Sequence, residues 1–139
     1  MKLITPFLLR YIIAATFLTV LFRFFLSYFL KVDDSLAVLL VAAGYGLSMF
    51  FSGFYFGKKD GTYLPIYDIG FRFHLATFVV HNVVSALWLL SGYASAKESI
   101  NQLLVSAGIW GVFLLIHFIV YLRLRKHSID DLDKSDLFE

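Results

Sequence analysis

Five side chains stand where hydrophobic sequence surrounds them: Arg23, His74, His81, Asn82 and His117. Two of them anchor polar series. Thr16, Thr19, Arg23 and Ser27 follow one another at helical spacing, and His74, Thr77, His81 and Ser85 repeat it. Side chains three and four residues apart share one face of a helix. Such a face can line water, hold a ligand or hydrogen-bond to a neighbouring helix.

Arg23 is the most demanding of these groups. A charge inside an apolar helix costs at least ~2.5 kcal/mol on insertion scales. Counted from Tyr11 at 1.5 Å per residue, Arg23 lies about 18 Å along its helix. His81, counted from Arg72, lies about 14 Å along its own. His117 falls closer to the level of His74. Arg23 either snorkels outward to Asp33 or Asp34 or faces a water-filled or ligand-bearing interior. The hydrophobic spans contain no Asp or Glu; all 10 acids lie in loops or the tail. An interior lined by Arg23, His81, Asn82, His117, Thr19 and Ser85 therefore favours an anion or a lipid phosphate over a cation.

No cofactor and no metal site is expected. His74 and His81 are seven residues apart, not one helical turn, and no carboxylate accompanies them. The chain has no cysteine, which excludes disulfides, thiolate metal sites and thioether-attached haem. A bis-histidine haem using His117 is conceivable, but no specific motif supports it. There is no nucleophile elbow, acid pair or phosphate-cradling glycine loop, so an enzyme is not expected.

A second polar group sits at the end of a long loop. Residues 57–70 carry Lys58 and Lys59, a turn signal at Asp60-Gly61, and Pro65. Tyr63, Leu64, Ile66, Tyr67 and Ile69 are too apolar for a solvated linker and suit the headgroup level. Asp68 is the expected ion-pair partner of Arg72 or Lys58, and Asp68, Arg72 and His74 are a candidate cytoplasmic gate or docking site.

The elements that position these residues follow from composition. The chain has 139 residues, 60% hydrophobic and 16% charged, too apolar to cover a soluble domain of this size. The expected fold is an all-α membrane protein. Four transmembrane helices at about 7–30, 36–56, 71–93 and 103–122 would pair as two antiparallel hairpins in a four-helix bundle, followed by a tail at 123–139. The first span contains arginines and lacks a small-residue cleavage site, so it reads as a retained helix rather than a signal peptide. Lys2, Arg10, Lys58, Lys59, Arg72, Arg123, Arg125, Lys126 and Lys134 fall on one side, against Lys31 and Lys97 on the other. The positive-inside rule then puts both termini in the cytoplasm, in a plasma membrane of the bacterial inner-membrane kind.

Small residues mark candidate packing faces. Gly53 and Gly57 have GxxxG spacing, and Ala42 with Gly46 and Ala107 with Gly111 are similar pairs. They serve packing within one chain or between subunits. The segment from Arg10 to Ala14 echoes that from Arg72 to Ala76, and Gly46 and Gly108 keep the same offset, as a duplication would leave.

The expected partners are the lipid bilayer, a second copy of the chain, and a protein at loop 57–70 or the tail. A formal net charge of +2, not gathered into a patch, gives no reason to expect nucleic acid. Two functions fit: a homo-oligomeric, anion-preferring pore or channel, and a non-conducting accessory, scaffold or immunity-type subunit of a larger partner. The pore is favoured here because Arg23 has no partner within the spans.

Overall fold

The computed structural model describes residues 4–61 and 66–130 and is all-helical over them: α1 (Pro6–Lys31), α2 (Ser35–Asp60), α3 (Ile66–Leu90) and α4 (Ile100–Asp130). Each helix is long and apolar enough to cross a membrane, so the chain has the make-up of a multi-pass membrane protein. The interfacial reading of Tyr63, Leu64 and Pro65, and the acidic tail from Asp131, lie outside the described residues.

Local chemistry sets the ends. Thr5 caps α1, its hydroxyl accepting from the Leu8 amide at 3.0 Å, and Pro6 follows where its missing N–H costs nothing. Asp34 caps α2 in the same way through the Ala37 amide at 3.0 Å. Between them Asp33 adopts φ +60°, a left-handed conformation that Asp tolerates better than most residues. Gly92, at φ +78°, lies just beyond the end of α3, a conformation for which glycine carries no Cβ penalty.

The helices overrun several expected boundaries. α2 continues through Lys58, Lys59 and Asp60, and α3 begins at Ile66. Helix therefore takes up much of the expected loop 57–70, at 57–60 and at 66–70. α4 runs eight residues past Leu122, because nothing between Arg123 and Asp130 breaks a helix.

α1 and α3 lie at the centre. α1 packs against α2 and α3, and α4 packs its backbone against α3 alone. The contact between α2 and α3 has no counterpart between α4 and α1, so the duplication hinted at in sequence is not matched by a symmetric packing. Leu8, Tyr11, Ala15, Thr19, Arg23 and Ser27 form the buried stripe of α1, one residue per turn. Few apolar side chains are buried. Phe17, Phe50, Leu90 and Phe113 are all at least 66% exposed, as suits helices that face lipid.

The small-residue pairs divide. A Cβ at Gly53 would meet the Tyr11 ring at 3.7 Å, and one at Gly57 would meet Ile69 at 3.4 Å, so this pair is a packing face within the chain. A Cβ at Gly46, Gly108 or Gly111 would meet nothing within 4 Å, and Ala42 is exposed. Ala107 is half-buried.

Candidate functional site

The buried polar residues fall into layers along α1. Two loops meet at one end, where Lys97 pairs with Asp33 at the exposed rim. Just inside, Arg23 forms an ion pair with Glu98, Nη2 to Oε1 at 2.9 Å, with both side chains more than nine-tenths buried. Arg23 therefore does not snorkel to Asp33 or Asp34. Its partner comes from the break between α3 and α4.

Glu98 is held by two further donors, one of them positioned in turn by Trp88. Its Oε2 accepts from the Ser27 hydroxyl at 2.6 Å and from the Ser95 amide at 2.7 Å. Trp88 Nε1 donates to Ser27 Oγ at 2.9 Å, which fixes the serine proton toward the carboxylate. A carboxylate with that many donors is a stable acceptor in a dry setting. The guanidinium is not fully used: among the described residues Nε of Arg23 is buried without a hydrogen-bond partner.

The next layer is a directed relay. Thr19 Oγ1 donates to the Ala15 carbonyl at 2.7 Å, so it can only accept from Tyr45 Oη at 3.0 Å. Tyr45 then has no proton left for His81 Nδ1, 3.0 Å away, and must accept from it. A neutral His81 thus carries its proton on Nδ1 and leaves Nε2 as a free lone pair. Phe22 stacks on Tyr45 with centroids 4.3 Å apart, and Trp110 stands 5.4 Å from the His81 ring, so aromatic walls hold the relay in place.

Farther along, Tyr11 Oη and Thr77 Oγ1 lie 2.5 Å apart. Thr77 donates to the Phe73 carbonyl at 2.8 Å, which makes Tyr11 the donor. At the far end Thr5 donates to Asp60, which is 1% exposed and whose other oxygen has no partner among the described residues. Asp68 pairs with Arg72, Oδ2 to Nη2 at 2.8 Å and Oδ1 to Nε at 2.9 Å, an expected ion pair at the start of α3.

The candidate residues therefore do not converge on one lumen. Arg23 and His81 line a single half-open cavity of about 270 Å³, together with Leu26, Leu30, Leu89, Leu103, Lys97, Glu98, Ser99, Gln102 and Ser106. Thr19 reaches this group only through Tyr45. Asn82 turns back onto the Phe78 carbonyl at 2.8 Å, and Ser85 is fully buried with its hydroxyl unpartnered among the described residues. His117 sits elsewhere: its ring meets His74 edge-on with centroids 4.7 Å apart, which leaves no room for a haem between them. His74 itself is exposed, so Asp68 and Arg72 form a buried pair that His74 does not complete.

Several contributors escape sequence reasoning. Glu98 lies in a non-helical segment, so no periodicity ties it to Arg23. Tyr45 reads as one more aromatic in an apolar helix. Asp60 reads as half of a turn signal, although it lies at the last position of α2. Helical spacing marks Thr19, Arg23, Ser27, Thr77 and His81, but not what each of them meets.

The arrangement defines a class: a helical protein with the make-up of a multi-pass membrane protein, whose buried polar groups lie in layers along α1. No family model, curated protein or solved structure matches the chain.

Proposed function

We propose that the chain is a small, non-conducting membrane subunit that binds through its cavity and outer helix faces, with both termini in the cytoplasm. The observation that carries this reading is the closure of Arg23 on Glu98. The case for a pore drew on an arginine with no partner inside the membrane. With Glu98 as counter-ion, the anion-selective charge is neutralised within the chain. Below it, the Thr19–Tyr45–His81 relay and the Tyr11–Thr77 pair engage polar groups that a water-filled path would need. The lysine and arginine asymmetry supports the orientation.

A homo-oligomeric, anion-preferring pore is the second reading, favoured by one feature: α4 packs against α3 alone, leaving Gly108 and Gly111 open to a second copy. Chloride and potassium flux in proteoliposomes separates the two. Wild type and Arg23→Ala at matched incorporation are expected to stay at the level of empty vesicles. Chloride-preferring flux from wild type that changes in the variant would overturn the non-conducting reading.

A further inference from the structure

The cavity at Arg23 has a built interior. Arg23 is buried and lines it, and Nε of its guanidinium has no partner although the other edge is held by Glu98. An unpaired buried donor is costly, most of all on a charged group, so the position favours a ligand that accepts from it. The charged side chains lining the cavity are Arg23, Lys97 and Glu98; Arg23 is paired with Glu98 and Lys97 with Asp33, so the donor left over for a ligand is Arg23 Nε. The 31-residue helix α4 also begins there, and Ser99 and Gln102 cap each other reciprocally at 3.0 and 3.3 Å, setting the positive end of its dipole at the rim.

The remaining walls are apolar: Leu26 and Leu30 from α1, Leu89 from α3 and Leu103 from α4. They stand on the side where α4 and α1 do not pack together, so the cavity lies at a gap between two membrane-spanning helices. A ligand that suits both parts carries an oxyanion at one end and hydrocarbon at the other. Its volume of about 270 Å³ far exceeds that of one water.

We propose that this cavity seats the phosphate headgroup of an anionic membrane lipid, with Arg23 Nε donating to a phosphate oxygen and the acyl chains leaving between α1 and α4. The proposal rests on the non-conducting reading in that the cavity ends at the His81 relay rather than continuing as a channel.

The test uses the full chain in micelles doped with phosphatidylglycerol or phosphatidylcholine, with bound lipid counted by native mass spectrometry. Wild type is expected to hold phosphatidylglycerol at least ten-fold more tightly. Ser106→Trp fills the cavity from an exposed position whose hydroxyl bonds only its own helix, at the Leu103 carbonyl, and Lys97→Gln removes a rim charge without touching the Arg23–Glu98 pair. Both should fold, by circular dichroism, and Ser106→Trp should lose most of the preference. Equal retention of the two lipids, or a preference unchanged in Ser106→Trp, would overturn the proposal. So would binding of inorganic phosphate alone with no lipid preference, which would make this a site for free phosphate. Flux measured in the same two lipids keeps the readings apart, since conduction refutes the non-conducting subunit whatever the lipid preference.

Discussion

Removing Glu98 should destabilise the protein far more than removing Glu98 and Arg23 together. The two side chains are 7% and 9% exposed and 2.9 Å apart, so Glu98→Leu strands a buried guanidinium, and breaking such a pair costs about 3–5 kcal/mol. Arg23→Met should cost a similar amount by stranding the carboxylate, reduced by the donors that Ser27 and the Ser95 amide still offer. In the double variant no charge is left to strand. What is lost is the acceptor for Ser27 and for the Ser95 amide, about 1 kcal/mol each, or about 2 kcal/mol in all. The double variant is therefore expected to be more stable than Glu98→Leu alone. Equilibrium unfolding in mixed micelles measures this through the emission of Trp88, which donates to Ser27 at the edge of the same network. If the double variant loses the sum of the two singles, or if each single costs less than about 1 kcal/mol, the pair is solvated and the reasoning fails.

Other expectations follow from separate parts of the molecule. Tyr45→Phe removes the acceptor of His81 Nδ1 and the donor to Thr19; nitrogen NMR should show wild-type His81 protonated on Nδ1 and a tautomer mixture in the variant, with about 1–2 kcal/mol lost. An unchanged single tautomer would contradict the relay. Gly53→Leu should destabilise by about 1–3 kcal/mol because it drives into the Tyr11 ring, whereas Gly46→Leu should leave monomer stability unchanged. Equal effects at the two positions would misplace the packing face. Thr5→Val removes the α1 cap and the partner of Asp60, and should cost at least about 1 kcal/mol in the same unfolding assay. Because the chain has no cysteine, Lys2→Cys and Asp33→Cys can report orientation cleanly. In intact cells an impermeant thiol reagent should label position 33 and spare position 2, and the reverse would invert the topology.

Composition and hydropathy alone determined the class and the number of spans, because lipid tolerates only sequences that satisfy their own backbone and expose hydrocarbon. Spacing alone also marked Thr19, Arg23 and Ser27 as one face of α1, since the helical period is a local property. Asp68 was legible as a partner of Arg72 or Lys58, and the structure shows Arg72, one turn away on the same helix. The partners across helices were not. Glu98 reaches Arg23 over 75 positions of sequence, and the choice among Asp33, Asp34 and Glu98 depends on which loop folds over the end of α1. Tyr45 joins Thr19 to His81 only because α2 and α3 both lie against α1. Gly53 and Gly46 look alike in sequence, yet one faces Tyr11 and the other faces outward, because small residues permit close approach without specifying which helix approaches. Local periodicity decided which residues share a face; tertiary packing decided what each face meets, and so turned an apparently unpaired arginine into one wall of a neutralised cavity.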